Sequence, residues 1–233
     1  LELGLFNGMV DLQFDLFDER RHNIFMPRES IPITAGFIKQ PWDNYGKMKN
    51  QGAEVTLNIN KQFNKNLFVS LMGTLTYAHN EITEKDEPAA VVGTNRAETG
   101  YPTGQNRGYI AERLFTNDDF ADVAAGTLKE GIPAQTFTAK LRPGDIKYVD
   151  VNQDGKIDAF DVSPIGGPIN PEIVYGFGLN MKWKDLDFGV LFQGIGRTWN
   201  VLSGNIIPAS NKGTTYNIFT NYQDRWTVDN PSQ

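Results

Sequence analysis

The chain has 233 residues, of which 39% are hydrophobic and 21% are charged, and its formal net charge is -6 at pH 7. This composition excludes a disordered chain and argues against nucleic acid as a partner, and the absence of cysteine excludes disulfides and thiolate sites. No apolar run approaches the roughly 18 residues of a membrane helix, so only a β-barrel would carry this chain across a bilayer.

The first hairpin is expected at residues 1–18. Apolar residues that recur with a period of two predict a strand with one apolar face, and residues 1–6 and 9–18 follow this pattern. Between them stands an Asn-Gly pair, which strongly favours a hairpin turn. Residues 19–51 contain three prolines and few periodic apolar positions, so this segment is expected to form a long loop.

The second hairpin is expected at residues 52–80. Residues 52–62 and 67–80 alternate on either side of a polar Asn-Lys-Asn turn. From about residue 81 to 171 the alternation is replaced by Gly, Thr, Asn and Pro, so we expect a second long loop there.

The third hairpin is expected at residues 172–195. Residues 172–183 carry apolar side chains at odd positions and residues 186–195 carry them at even positions, with the polar pair Lys184-Asp185 between the two runs. The other face holds Gly, Asn, Gln and Lys, which is typical of a barrel wall with a wet lumen. An edge hairpin of a soluble sandwich is the alternative. Residues 196–233 are again loop-like.

Short turns within the pairs and long loops between them are typical of outer-membrane barrels. Six strands cannot close a barrel, whose smallest members have about eight. We therefore expect residues 1–233 to form a partial β-barrel domain from a longer protein. The residues expected to face lipid are Val10, Leu12, Phe14, Val55, Leu57, Ile59, Leu71, Leu75, Tyr175, Phe177, Leu179, Phe188 and Val190. Those expected to face inward are Asp11, Gln13, Glu54, Thr56, Asn58, Asn180 and Gln193.

Several short motifs together resemble the carboxyl-terminal barrel region of the SusC/RagA-type TonB-dependent outer-membrane transporters of Bacteroidetes. They are residues 144–158, Pro164-Ile-Gly166, Asn170-Pro171, Tyr175-Gly-Phe177, Phe192-Gln-Gly194, Arg225-Trp-Thr227, Asp229-Asn-Pro231 and the segment 50–54. The resemblance implies a barrel of about 22 strands that is plugged by an amino-terminal domain absent from this chain. It also implies a SusD-like surface lipoprotein as partner, TonB as energy source, and oligosaccharides or peptides as substrates.

Residues 150–161 match the spacing of a calcium-binding loop. Oxygen side chains stand at loop positions one, three and five, a glycine at six, a carbonyl at seven, and carboxylates at nine and twelve. The last ligand is Asp rather than the usual Glu, and no amphipathic helices flank the loop, so a solvated turn is the alternative. The expected ligands are Asp150, Asn152, Asp154, the carbonyl of Lys156, Asp158 and Asp161.

Other polar and aromatic residues give weaker signals. A helix is expected at residues 118–125, where Thr116 or Asn117 would cap it. His22 and His79 have no metal-ligand neighbours in sequence and are interpreted as solvated or interfacial residues. Aromatic residues in the long loops would either stack on a sugar ring or pack within their loops. They are Trp42, Trp199, Trp226 and Tyr216.

Three functions are compatible with these features of the sequence. The leading hypothesis is nutrient transport by a TonB-dependent barrel in the cell outer membrane, and the chain is not expected to be an enzyme because it has no catalytic constellation. The alternative is a secreted calcium-stabilised β-sandwich that binds carbohydrate, and a third is an adhesin or enzyme barrel. The apolar faces discriminate the first two, because a second sheet would cover them in a sandwich.

Overall fold

The computed structural model describes residues 1–138 and 140–202, together with Thr220, Trp226, Thr227 and Asp229. The strands of this part of the chain are β1 Glu2–Leu5, β2 Val10–Pro27, β3 Trp42–Asn64, β4 Leu67–Glu84, β5 Gln105–Gly108, β6 Ala111–Leu114, β7 Phe120–Asp122, β8 Thr127–Leu128, β9 Ala134–Gln135, β10 Ile146–Tyr148, β11 Lys156–Ile157, β12 Ser163–Pro168, β13 Ile173–Trp183 and β14 Leu186–Gly196. In the same part of the chain, 3-10 helices span Ile33–Ala35, Asn117–Asp119 and Ala159–Asp161. None of the helices described has the length and apolar character needed to cross a membrane.

Six strands form one antiparallel sheet in the order β1-β2-β3-β4-β13-β14. This order follows the chain, since each strand pairs with the next one of the six. The three expected hairpins and their antiparallel arrangement are therefore confirmed. The expected irregular segment between β4 and β13 lies outside this sheet and contains short strands of its own.

The three short turns lie at the same end of the strands. Asn7 and Gly8 adopt positive φ angles of 56° and 79°, as the Asn-Gly turn requires. Lys184, with φ 53°, opens the turn between β13 and β14. Its N–H donates to the carbonyl oxygen of Asn66 at 2.8 Å, so two neighbouring turns are hydrogen-bonded to each other. The longer connections join the strands at their other end.

At the end of the strands where the longer connections lie, the strands extend well beyond the expected bounds. The loop expected at residues 19–51 is shorter in the structure, because β2 continues to Pro27 and β3 begins at Trp42. The added segments are polar, so they lack the apolar alternation that predicts strands. Ion pairs between β3 and β4 replace it there, with Lys49 Nζ 2.9 Å from the Glu81 carboxylate.

The chain divides into two compact units. The first, the sheet unit, contains the six-stranded sheet and comprises Leu1–Val92, Ala97–Gln105 and Gly166–Trp199. The second, the loop unit, comprises Gly93–Arg96, Asn106–Ile165 and Asn200–Gln233. Most of the loop unit comes from the long connection between β4 and β13.

The loop unit has its own small hydrophobic core of Phe115, Phe120 and Leu141. Short strand pairs surround this core, including antiparallel β6 with β10 and a parallel contact between β9 and β11. The prediction of a helix at residues 118–125 is wrong. The segment forms a single 3-10 turn and then strand β7, because Phe120 enters the core while Asp119 is held by Arg113 and Thr116.

Candidate functional site

The pairing register places all thirteen residues of the expected lipid-facing set on one face of the six-stranded sheet, here called the apolar face. Directly opposed residues in antiparallel strands point to the same side, so each register row is also a row of side chains. Three rows are Val10, Ile59, Leu71, Leu179 and Val190; Leu12, Leu57, Phe177 and Phe192; and Phe14, Val55, Leu75 and Tyr175.

The apolar face is open in the part of the chain that the structure describes. Leu75, Phe177 and Phe188 are exposed, although each is a large hydrophobic side chain. The buried hydrophobic residues are Ala97, Phe115, Phe120, Leu141 and Ile157, and none of them belongs to the six-stranded sheet. Among the described residues, therefore, no second sheet covers this face as a sandwich would require.

The length of the apolar face would suit a bilayer at the strand tilt that is usual in outer-membrane barrels. It runs from the row that contains Trp183 and Leu186 to the row that contains Ile173 and Tyr77, which is the full length of the 11-residue strand β13. A strand of this length is about 33 Å long, and a tilt of about 40° reduces its height to about 25 Å. Apolar bands of outer-membrane barrels are about 25 Å tall.

The opposite face, here called the polar face, carries all seven residues expected to point inward. Gln13, Thr56 and Gln193 lie in one row across the sheet, and Thr74 stands between Thr56 and Gly176 in that row. The polar face is not uniform. An apolar patch interrupts it near its β14 edge and consists of Met72, Val174, Leu191 and Ile195.

A small cavity of about 180 Å³ opens on the extended part of the polar face. Glu19 and Arg21 on β2 line it together with Asn50 on β3 and Asn80 on β4. Asn80 Oδ1 accepts from both the N–H and the hydroxyl of Thr103, each at 2.8 Å, so a segment beyond the strand helps to position it. The sequence did not point to Glu19, Arg21 and Asn50 as site residues, because residues 19–51 have the composition of a loop.

A buried carboxylate lies where the apolar face gives way to polar residues. Glu172 is 4% exposed, and its carboxylate lies 2.5 Å from Nδ1 of His79 and 2.9 Å from Nε of Arg197. The Arg197 guanidinium also contacts the ring and hydroxyl of Tyr77. The contact between His79 and Glu172 therefore links β4 to the residue that precedes β13. Among the residues described, no group of three or more His, Cys, Asp or Glu side chains is arranged to hold a metal ion.

The expected calcium loop forms a tight turn in the loop unit. Asp150 Oδ2 accepts from the N–H of Gly155 at 2.8 Å, and Asn152 Oδ1 accepts from the N–H of Asp154 at 3.1 Å. Gly155 has φ +86°, which the loop requires at its sixth position. Asp154 Oδ1 in turn accepts from the N–H of Lys156. Three of the expected ligand side chains therefore lie around one turn, with their oxygens directed at backbone N–H groups.

Two residues of the expected ligand set have further partners. Asp161 is fully buried, and its carboxylate accepts from the N–H groups of Val151 and Asp158, both at 2.8 Å. It thereby ties the two ends of the loop together. The ammonium group of Lys156 donates a hydrogen bond to Asp158 Oδ2 at 2.7 Å. That ammonium is the first cause of the lowered pKa of Asp158, followed by the N–H of Phe160.

Two of the loop tryptophans pack closely within their own units. The Trp199 ring lies against Gly166 and Gly167, and the Trp226 ring lies against Gly144. Trp42 contacts Phe25 across β2 and β3, with ring centroids 5.2 Å apart. Trp199 and Trp226 therefore pack against glycines, whereas Trp42 lies in β3 rather than in the loop that was expected there. Tyr216 lies outside the residues that the structure describes.

No family model matches the chain, but curated relatives do. TonB-dependent receptor P26 of Formosa agariphila is 28% identical over 238 aligned positions, which cover 100% of this chain and 23% of the relative. TonB-dependent receptor SusC of Bacteroides thetaiotaomicron is 23% identical over 195 positions, which cover 81% of this chain and 18% of SusC. The chain thus spans about a fifth of the length of these relatives. They are receptors rather than enzymes, which agrees with the expectation of a non-enzymatic chain.

Solved structures show the same fold. The RagAB peptide importer in its closed-closed state superposes with a TM-score of 0.57 at 21% identity, covering 85% of this chain and 20% of that one. A structure of the RagAB peptide transporter gives 0.56 at 21% identity, covering 83% and 19%. The expected fold class, an all-β chain of antiparallel hairpins that form part of a large barrel, is confirmed. In sequence and in fold, the chain resembles the SusC/RagA-type TonB-dependent receptors, as its motifs indicated.

Proposed function

We propose that this chain supplies wall strands and connecting loops to a TonB-dependent importer in the cell outer membrane. The observation that carries the proposal is the pairing register, which gathers the apolar side chains of five neighbouring strands on one exposed face. Hydrocarbon is the solvent that suits so continuous an apolar band. The apolar face would therefore contact lipid and the polar face would line the lumen.

The alternative of a secreted carbohydrate-binding sandwich lacks support. A sandwich buries its apolar face against a second sheet, whereas Phe177 and Phe188 are exposed here. Contiguous apolar surfaces beyond a few hundred Å² are rare on monomeric soluble proteins. An adhesin or enzyme barrel would share the wall, but the curated relatives are receptors.

The substrates proposed are oligosaccharides or peptides. The cavity that contains Glu19, Arg21 and Asn50 offers a carboxylate, a guanidinium and an amide within one small space. Such a mixture of donors and acceptors suits hydroxyl groups of sugars and amide groups of peptides. The similar RagAB structures are those of a peptide importer, which favours peptides as the first substrates to test.

The partners proposed are a SusD-like surface lipoprotein and TonB. Both rest on the resemblance to SusC/RagA-type receptors and on the sequence relationship to SusC. TonB would act through a part of the receptor that lies outside this chain. Co-purification of a lipoprotein with the intact receptor in mild detergent would support the first partner, and its absence from the purified receptor would argue against it.

Calcium binding by residues 150–161 is proposed as a structural property of the loop unit. Asp150, Asn152 and Asp154 bring their side-chain oxygens around one turn, and the Lys156 carbonyl follows them in the chain. Hard oxygen ligands at this spacing suit calcium. The buried carboxylate of Asp161 would hold the loop closed from behind. A bound cation would order the segment that leads into β13.

Uptake by intact cells tests the proposed function. A strain that lacks the complete receptor gene would be compared with the same strain carrying the gene on a plasmid, using fluorescent peptide and oligosaccharide pools. We expect receptor-dependent uptake of at least one pool, and we expect a proton-motive-force uncoupler to abolish it. Equal uptake of every pool with and without the receptor would contradict the proposal.

A further inference from the structure

The loop unit contains a cavity of about 570 Å³ that has no part in the proposed wall of the barrel. Its volume lies within the range of about 300 to 1,000 Å³ that is typical of small-molecule sites. Phe115, Val123, Pro143 and Trp226 form its apolar walls. The charged residues that line it are Lys140 and Arg142, and no described lining residue is acidic.

A buried anchor directs both cations to the cavity. Leu141 stands between Lys140 and Arg142 in the chain and packs in the core of the loop unit beside Phe115 and Phe120. Leu141 is buried, whereas its two neighbours are exposed, and both of them line the cavity. A Cβ on Gly126, which has φ +76°, would overlap the backbone of Leu141, so this glycine permits the anchored segment to approach closely.

A turn fixes the aromatic wall. The N–H of Arg142 donates to Asp145 Oδ2 at 2.8 Å, and the N–H of Asp145 donates back to the Arg142 carbonyl at 3.1 Å. The turn presents Gly144, at φ +92°, to the ring of Trp226. A side chain at this position would overlap the indole ring, so the Trp226 wall depends on a glycine at residue 144.

The two cations carry uncompensated charge within the described part of the chain. Three other basic side chains of the loop unit have acidic partners: Arg113 with Asp119 at 2.6 Å, Lys147 with Glu112 at 3.1 Å and Lys156 with Asp158 at 2.7 Å. Among the residues described, neither Lys140 nor Arg142 has a carboxylate oxygen within ion-pair distance. Two free cations beside apolar walls attract an anion, although the chain as a whole has a net charge of -6.

We propose that this cavity binds a small organic anion that carries a ring. The anionic group, a carboxylate or a sulfate, lies between Lys140 and Arg142, where the planar guanidinium offers paired donors. The ring packs on the indole of Trp226, which suits the apolar face of a sugar or an aromatic side chain. This site belongs to the loop unit and holds whether or not the sheet unit forms part of an importer.

Matched pairs of probes that differ only in charge test the proposal by calorimetry on the intact receptor in detergent. The first pair is methyl glucuronide with methyl glucoside, and the second is N-acetylphenylalanine with its amide. We expect the anionic member of at least one pair to bind at least tenfold more tightly than its neutral partner. The pair that shows this preference identifies a sugar acid or a peptide carboxylate as the ligand class.

Two variants and a control assign the preference to this cavity. The double variant Lys140→Gln, Arg142→Gln is expected to abolish the preference for the anion, whereas Trp226→Ala weakens both members of the pair. Lys129→Gln removes a charge elsewhere in the loop unit and is expected to leave the preference unchanged. A receptor with no preference in either pair, a double variant that retains the preference, or a control that loses it equally would overturn the proposal.

Discussion

Phe177 and Phe192 lie directly opposite each other on β13 and β14, with ring centroids 4.7 Å apart and ring planes 20° from parallel. Both side chains are about half exposed, at 53% and 51%. Stacked cross-strand aromatic pairs stabilise sheets, but such a pair on an open face would remain in contact with water in a soluble protein. Contact with lipid, as proposed for the apolar face, would remove this cost.

A charge at the centre of the apolar face should destabilise the receptor in a bilayer. We expect Phe177→Arg to lower the free energy of unfolding by about 2 to 4 kcal/mol, the cost of an arginine at the bilayer midplane. Urea titration of the receptor in lipid vesicles measures this change. Gln193→Arg, on the polar face, is the matched control and should cost much less. Equal losses for the two variants would contradict the assignment of the faces.

The neighbours of Gly52 leave no room for a side chain at this position. It pairs directly with Phe17, and a Cβ at Gly52 would overlap the Phe17 ring and the Tyr77 carbonyl oxygen. We expect Gly52→Ala to destabilise the receptor by about 1 to 3 kcal/mol through overpacking. Gly73 is the matched control, since a Cβ there meets no atom within 4 Å. Gly73→Ala should be neutral or slightly stabilising in the same unfolding measurement, and the reverse order of the two variants would contradict this account.

The carboxylate of Asp119 should make the loop unit sensitive to acid. Hydrogen bonds from Arg113, opposed by burial and reinforced by Thr116, hold the pKa of Asp119 well below its ordinary value. A carboxyl group with a lowered folded pKa contributes stability above its unfolded pKa of about 4, and this stability is lost as the pH falls towards the folded value. Protection of the loop-unit amides in hydrogen exchange should therefore fall below about pH 4.

Asp119→Asn tests this assignment. At pH 7 we expect the variant to reduce local stability by about 1 to 3 kcal/mol, because charge-assisted hydrogen bonds from Arg113 are lost. The acid dependence below pH 4 should become flatter in the same variant. Asp118→Asn changes the exposed neighbour and should leave exchange unaffected. An unchanged acid dependence in Asp119→Asn would refute the role given to this carboxylate.

Lys156 should compete with calcium in the proposed loop. Its ammonium lies 2.7 Å from the Asp158 carboxylate and 3.8 Å from that of Asp154, where it partly neutralises two expected ligands. Lys156→Gln removes the charge and keeps the backbone carbonyl, so calorimetry should show tighter calcium binding, by about threefold to tenfold. Asp154→Ala should abolish binding. Absence of calcium binding in the wild-type receptor would reduce the motif to an ordinary Asp-rich turn.

The sequence predicted the six-stranded sheet because apolar alternation is strong wherever one face must avoid water. Val55, Leu57 and Ile59 show this pattern, and their register partners show it too. The pattern stops where the strands continue into polar surroundings. Lys47 and Lys49 pair with Glu84 and Glu81 across β3 and β4, and such ion pairs leave no periodic apolar signal.

Some contacts in the candidate sites join residues that are far apart in the sequence, so the sequence alone does not reveal them. Glu172 meets His79, which is 93 residues away, and this partnership follows only from the pairing of β4 with β13. The proposed calcium loop could be predicted because its expected ligands are close together in the chain. The buried role of Asp161 could not be predicted, because it depends on how the loop ends are closed.

Spin labelling distinguishes a lipid-facing apolar face from a water-facing one. Nitroxide labels at Leu179 and at Asn180, neighbours on β13 that point to opposite faces, would be compared in the receptor reconstituted into lipid vesicles. We expect the label at Leu179 to be accessible to oxygen dissolved in lipid and shielded from a water-soluble nickel reagent, with the opposite result at Asn180. Greater exposure of the Leu179 label to the nickel reagent would contradict the barrel-wall assignment.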